Sequence, residues 1–514
     1  MKKVIILLVF FVQISFLGAQ SVKVDTVEIN KIRNEAINNS MVMETLKSFC
    51  YLNGGRLMWS PEYKRAADWL SAKLKEWGIP KIYYEDINLS GKSWSLKKFY
   101  ANLTEPYTIP IVGNPKEWTP GTNGVVRAEV VYLNVKSDAD FEKYKGKLRG
   151  KIVCISDPTN PRPNMLPWVT RFTEDSLKSL SNVTIPDSLE KIKAKEDEKK
   201  NNEAYLQYFH IIAQKVEFCM TEGALLLIDP GYRNYGLNQI WANICSVPPK
   251  DIFDYLAKDA GDPNVPESLP QISISTEQYN AIVGAIERGA KVEMEAVIEV
   301  EKGGVEKGFN LIAEIPGTDL KDEVVILGAH LDSYSYANGT VDNGTGVIAC
   351  IEALRIFKTL GFQPRRTIRI GLWGAEEEGL FGSKAHIEKH FKSGKEKCYA
   401  YFNMDFGVGR FRGIYAQENQ GAANLFKEWM NILNDPKFQT VCLSAIKNSD
   451  HEAFHDAGLP GFPFIQDPLD YWRIFHTNMD FIDRIPKDDM INDAYIMTAF
   501  AWLAANKEGD FPNK

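Results

Sequence analysis

Apolar positions along the first 80 residues follow a helical period. Residues 27 to 50 read as one helix, and Ser60-Pro61 opens a second in which Ala66, Ala67, Leu70, Leu74 and Trp77 share a face. Gly78 and Pro80 end it, and the stripe reads as core rather than as a cofactor contact. Pro106 to Gly124, rich in Pro and Gly, reads as a crossing between domains. From 125 to 300 the period shortens to that of strands: Ala128 to Leu133, Lys151 to Ile155, and Val292 to Val300, where Glu alternates with apolar residues. Asp187 to Met220 interrupts this as a helical excursion whose charge run, Glu190 to Lys200, reads as a solvated face.

From 309 onward strands and helices alternate. Phe309 to Ile315 and Val324 to Gly328 are strands split by Pro316-Gly317; Val341 to Leu360 is helical; Thr367 to Trp373 is an apolar strand; a helix from Gly382 leads to the strand Tyr399 to Met404. Such alternation predicts an α/β sandwich with a largely parallel or mixed sheet, in which ligands sit beyond the carboxyl ends of strands.

Length and composition fit this reading. The 514 residues allow two or three domains at roughly 150 residues each. Apolar content of 44% and charge of 25% are those of a globular protein. The first residues stand apart: Lys2 and Lys3, the apolar run Val4 to Val12, and the small-residue site Leu17-Gly18-Ala19 form the pattern of a secretory signal peptide over 1–19. An exported bacterial protein, periplasmic or secreted and without a stable membrane span, is expected. Losing Lys2 and Lys3 takes the formal charge from -7 to about -9. With no basic patch, nucleic acid is excluded as a partner. Seven cysteines without a CxxC pair point neither to a disulfide framework nor to cysteine chemistry.

Chemistry concentrates in five short segments: GAHLDS (328–333), VDNGTG (341–346), GAEEEG (374–379), NMDFG (403–407) and IFHTNMD (474–480). They hold His330, Asp342, Glu377, Asp405 and His476, a nitrogen and carboxylate set without thiolate that suits two zinc ions or similar divalent metals. Taken singly each is weak. Asp342 alone reads better as a helix N-cap, and Glu376-Glu377-Glu378 as a solvated acidic turn. Three adjacent carboxylates repel unless cations neutralise them, and adjacent glutamates can divide labour, one on metal and one as general base. Asp332, two residues beyond His330 on the same strand face, is placed to reach the His330 ring. Of seven histidines, His210, His386, His390 and His455 read as surface or structural. His451 stays open, and Asp450 beside it reads as a supporting carboxylate.

In this order the segments resemble the motif set of the family-28 zinc metallopeptidases, which include secreted aminopeptidases and glutamate carboxypeptidases. The resemblance covers residues 305 to 485 and extends loosely to Gly-Gly-Arg-Leu and Ser-Pro-Glu-Tyr near the N-terminus. It implies a three-layer α/β/α sandwich, one metal on His330, Asp342 and Asp405, and a second on Asp342, Glu377 and His476. It further implies Glu376 as general base, Asp332 as a supporting carboxylate, and a cis Asp342–Asn343 peptide. The peptidase domain is expected over 20–124 and 301–514, with 125–300 an insertion resembling a protease-associated domain that borders the cleft. Two departures stand out. Phe475 occupies a position where relatives carry Tyr, with Tyr471 nearby, and Met58-Trp59 replaces small residues in a way that would alter the cleft rim.

The implied activity is an exopeptidase, in the main reading an aminopeptidase, hydrolysing short peptides through a metal-bridged hydroxide. The alternatives are a carboxypeptidase or dipeptidase of the glutamate carboxypeptidase type, a single-zinc glutaminyl-cyclase-like acyltransferase, and a receptor-like binding module. The last predicts missing ligands, and none of the five is missing. A carboxypeptidase needs a cation for the terminal carboxylate, and Arg410, Arg412 and Arg473 lie near the motifs without a sequence basis for ranking them.

Overall fold

The computed structural model describes residues 26–160, 163, 165–248 and 260–512, so the expected signal peptide over 1–19 lies outside the described residues. Its strands are β1 (Lys81–Glu105), β2 (Ile109–Pro110), β3 (Gly113–Pro115), β4 (Val126–Tyr132), β5 (Ile152–Cys154), β6 (Leu226–Pro230) and β7 (Gln271–Ile274). They continue with β8 (Glu293–Ile315), β9 (Leu320–His330), β10 (Arg366–Trp373), β11 (Lys397–Asn403), β12 (Phe411–Tyr415), β13 (Thr440–Cys442) and β14 (Gly461–Gln466). All are joined in one sheet, which runs β13-β12-β14-β11-β9-β10-β8-β4-β5-β6-β7-β3, with β1 paired along β8.

The centre of the sheet is parallel: β10, β9, β11 and β14 are neighbours in one direction. Parallel neighbours require crossovers, supplied here by Thr345–Leu360 between β9 and β10 and by Phe381–Ile387 between β10 and β11. Every residue of β10 is buried, as a strand covered on both faces demands. Along β9 the side chains alternate between two cores. Val325, Leu327 and Ala329 pack in the one containing residues of the helices Thr345–Leu360 and Lys487–Asn506. Val324 and Ile326 join Trp373, Ile387 and Phe454 on the opposite face. Helices on both sides of a mixed sheet give the expected α/β sandwich.

Three local expectations change. The single helix over 27–50 is two, Thr26–Asn38 and Val42–Asn53. The break is held from outside: Glu352 accepts from the Met41 amide at 3.0 Å and from the Ser40 hydroxyl at 3.3 Å. The strands at 292–300 and 309–315 are one strand of 23 residues, β8. Its partner over most of that length is the 25-residue β1, which the sequence reading did not include. Finally, the helix placed at Val341 begins at Thr345, because Asp342 and Asn343 have non-helical backbone angles and a cis peptide joins them.

Strands β4 to β7 are parallel to one another, and β4 joins the central sheet antiparallel to β8. Two further apolar cores surround them, one shared with β1 and β8 and one drawn entirely from residues between 125 and 300. Since β8 serves both regions, the boundary expected at 300/301 falls inside a strand. The helical excursion is Ser188–Glu222, started by a capping box in which Asp187 accepts from the Leu189 and Glu190 amides, and its 190–200 stretch is solvent-exposed.

Candidate metal centre

Because β9, β10 and β11 are parallel, their carboxyl ends lie on one edge, and the loops leaving them deliver His330, the Glu376–Glu378 turn and Asp405 to the same place. Strand ends are tied together there. The Leu331 amide donates to the Trp373 carbonyl at 2.6 Å and the Met404 amide to the Gly328 carbonyl at 3.3 Å. A Cβ at position 328 would sit within 2.7 Å of both Tyr401 and Trp373, so glycine is required for the close approach of the neighbouring side chains.

Asp342 occupies the middle. Its Oδ1 lies 3.1 Å from His330 Nε2 and its Oδ2 lies 2.8 Å from His476 Nε2. Asp405 Oδ1 completes the His330 side at 3.3 Å, and Glu377 Oε2 completes the His476 side at 3.0 Å. Thus all five predicted side chains converge, and the N-cap reading of Asp342 fails: the helix that follows is capped by Gly344, without a side-chain bond.

Electrostatics there are those of crowded acids around two bases. Burial pulls both imidazoles down, but the carboxylates outweigh it and hold His330 and His476 well above their ordinary range. Burial pushes Glu376, Glu377 and Asp405 up, assisted by neighbouring carboxylates. For Asp342 the two imidazoles overcome burial and hold it down. Glu377 Oε1 and Asp405 Oδ1 are buried without a hydrogen-bond partner. The protein therefore builds a place for positive charge between Asp342 and each imidazole, and the donor set fits divalent ions of the zinc type.

Asp332 has a different partner from the one expected. The His330 Nδ1–H is positioned at 3.0 Å from the Asp332 main-chain carbonyl, while the Asp332 carboxylate is 3.9 Å from that nitrogen. The carboxylate instead accepts from the Glu376 amide at 3.3 Å and the Glu377 amide at 3.2 Å. One residue thus orients the histidine through its backbone and the glutamate turn through its side chain. Glu376 itself makes no side-chain hydrogen bond among the described residues.

Asp480, legible in the sequence only as the last residue of the IFHTNMD segment, accepts through its carboxylate from the amides of Thr340, Val341 and Asp342 at 2.8, 2.7 and 3.2 Å. Burial pushes it up to about 7. Its place at the end of the FHTNMD segment was the available signal. Asn343 links Asp342 to the β11 end, donating to the Met404 carbonyl at 2.9 Å. Tyr334, also not singled out, packs edge-on to His476 with ring centres 4.7 Å apart. Asp450 is fully buried, neither oxygen has a hydrogen-bond partner, and burial pushes it up to about 8.

Other expected residues fall elsewhere. The Tyr471 hydroxyl donates to the Asp405 carbonyl at 3.2 Å, so it supports that strand end. Met58 and Trp59 are buried, Trp59 against Trp118, and do not form a rim. His386 and His390 are structural, as read, though His386 is buried and His390 half-buried rather than superficial. Each bonds one oxygen of Glu85 at 2.7 Å, and these three side chains make a second possible metal cluster. Arg369 argues against an ion there. Its Nη1 lies 3.1 Å from His386 Nε2, which leaves the proton on Nδ1, where a metal would need the lone pair. His451 is buried and donates from Nε2 to the Ile446 carbonyl at 3.0 Å. Arg410 and Arg412 are taken by Asp435 at 2.5 Å and by Glu174 and Asp467 at 2.9 and 3.2 Å.

Comparison with known proteins agrees with this geometry. The sequence model of peptidase family M28 matches residues 310–501. Carboxypeptidase Q of Mus musculus is 30% identical over 248 residues, covering 48% of this chain and 52% of the relative. The chain thus spans about half the length of the first curated relatives it matches. Among solved structures, a peptidase M28 precursor from Shewanella amazonensis aligns with a TM-score of 0.65 at 22% identity, over 95% of this chain and 99% of that one. A zinc aminopeptidase from Bacillus subtilis aligns with a TM-score of 0.54 at 17% identity, over 92% and 97%. Motifs, sheet edge and matched segment coincide: residues 310–501, which carry all five converging side chains, are similar to peptidase family M28.

Proposed function

We propose that this protein is a two-metal exopeptidase that hydrolyses short peptides, in the main reading by removing the N-terminal residue. The observation that carries the proposal is Asp342, whose two oxygens face two different imidazoles, each completed by a further carboxylate. His330 and Asp405 would hold one zinc-type ion, Glu377 and His476 the other, and Asp342 both. When bound, such ions supply Lewis acidity and lower the pKa of water toward neutrality.

The chain's own groups do the rest. Glu376, half-buried among other acids and without a side-chain hydrogen bond among the described residues, would take a proton from the attacking water on a carboxylate oxygen and return it to the leaving amine. Asp332 fixes the turn that aims it. The excess of carboxylates supports recognition of a free α-ammonium group. Carboxypeptidase polarity is the second reading, favoured by the names of the curated relatives; for a dipeptide the two coincide.

The division into a peptidase domain (20–124 and 301–514) and a protease-associated-like insertion (125–300) belongs to the same proposal. It is supported by an apolar core drawn entirely from residues between 125 and 300, and by insertion residues that reach the centre's loop. The Ile240 amide donates to the His476 carbonyl and the Asn238 amide to Asn478 Oδ1, both at 2.8 Å. An exported location, periplasmic or secreted, rests on the pattern of residues 1–19. Among the described residues no helix is long and apolar enough to cross a membrane.

Zinc-loaded protein assayed with free-amine, N-blocked and C-amidated dipeptides tests the reading. Hydrolysis of the free-amine peptides that is lost on chelation is expected. Release of cyclised glutaminyl product without hydrolysis, or binding without turnover, would contradict it.

A further inference from the structure

Beside the His476 loop lies a cavity of about 670 Å³, within the usual range for small-ligand sites. Trp168, Tyr235 and Trp472 give it aromatic walls; Arg233, Arg473 and Asp470 are its charged lining. The acid is already taken, since Asp470 accepts from Arg484 Nη1 at 2.7 Å. The two arginines are not. Among the described residues neither makes an ion pair, and Arg233 Nε is buried with no hydrogen-bond partner. Arg473 is stacked on Trp168, its guanidinium carbon 3.0 Å from the ring centre, which holds the plane and leaves the N–H edges open.

Arg233 is also close to the chemistry. Its guanidinium carbon is 5.6 Å from the Phe475 ring, which in turn is 4.5 Å from the His476 ring, so one aromatic ring separates it from the imidazole. An extended peptide advances about 3.5 Å per residue, so a carboxylate one or two residues from the bond being cut reaches this distance. A half-buried, unpaired guanidinium is costly unless it meets an anion, and its flat fork matches a carboxylate.

We propose that this cavity binds a carboxylate of the peptide substrate, held by Arg233 with Arg473 as the second cation. The inference rests on the peptidase reading above and adds to it a substrate class: short peptides carrying a carboxylate within two residues of the scissile bond. That carboxylate comes from the chain terminus or from an acidic side chain. The requirement explains how one centre serves short peptides, because a long chain would have to supply the charge internally.

The test compares kcat/KM for three dipeptides on the zinc-loaded full chain. Leu-Gln against its C-terminal amide isolates the terminal carboxylate; Leu-Glu-amide against Leu-Gln-amide isolates the side-chain one. We expect the acid member of at least one pair to be preferred by about tenfold or more, through KM. Arg233→Met should reduce that preference to below about threefold, and Arg233→Lys should restore part of it. Equal turnover within both pairs, or a preference that survives in Arg233→Met, would overturn the proposal. Hydrolysis of none of the peptides would count against the peptidase reading itself. The cavity is therefore also read without turnover, by tryptophan fluorescence on titration with N-acetylleucine and N-acetylleucinamide. Binding of the acid about tenfold tighter than the amide and lost in Arg233→Met supports the site, and equal or absent binding overturns it.

Discussion

Asp480 holds the backbone that presents Asp342. Its carboxylate accepts three consecutive amides, those of Thr340, Val341 and Asp342, and so ties the loop carrying His476 to the turn carrying the central carboxylate. Asp480→Asn keeps the shape but replaces one acceptor oxygen with a donor facing an amide. Supporting groups of this kind change metal affinity by about 10 to 100-fold. Zinc competition titration should show a loss in that range, with the fold retained by circular dichroism; unchanged affinity would remove Asp480 from the account.

Asp332 predicts a different outcome. Its carbonyl, not its carboxylate, faces His330, so Asp332→Asn leaves the histidine supported while disturbing the Glu376 and Glu377 amides. Turnover should fall by about 10 to 100-fold with metal content nearly unchanged. Metal loss matching the activity loss would instead favour the carboxylate-to-imidazole role expected from the sequence.

Away from the centre, His386 makes an acid-lability prediction. Burial pulls its imidazole down to about 4, so it stays neutral in the fold while the unfolded chain takes up a proton below about 6.5. The unfolded state binds more protons in that window, so stability falls as pH drops from about 6.5 to 4, by at most about 3 kcal/mol from this group. Glu85 and Glu396, held low by their histidine and arginine partners against burial, add losses only as pH falls below about 4.5. Thermal melts across this range should show a shallower decline between pH 6.5 and 4 in His386→Gln than in the parent. An equal slope would contradict the assignment.

Chelation should lower the melting temperature, because an ion that binds the fold and not the unfolded chain stabilises by mass action. Re-addition of zinc should restore it, with a shift of about 3 kcal/mol at a hundredfold excess over the dissociation constant. A melting temperature indifferent to zinc would mean that the acidic cluster is balanced by protons alone.

How much of this was legible in the sequence depended on contact range. Strands β9, β10 and β11 and the residues at their ends were readable, because burial on both faces leaves continuous apolar runs and the acids follow at once. The 25-residue β1 was not, because its polar, Ser- and Gly-containing sequence is stabilised by pairing with β8, far along the chain. Likewise Asp332 was assigned to a neighbour two residues away, while its carboxylate serves amides more than forty residues on. Asp480 acts through long-range contacts, and only its place at the end of the FHTNMD segment marks it. The local period placed the elements, and the register between distant strands decided which supporting side chains meet.

The central claim is that Asp342 is shared by two metal ions. It is tested most directly by anomalous diffraction at the zinc edge on crystals of the zinc-loaded protein, alongside Asp342→Asn. The account predicts two zinc peaks per chain, one between His330 and Asp405 and one between Glu377 and His476, each in contact with an Asp342 oxygen, and loss of both in the variant. A single peak, or two peaks that persist without the Asp342 carboxylate, would contradict it.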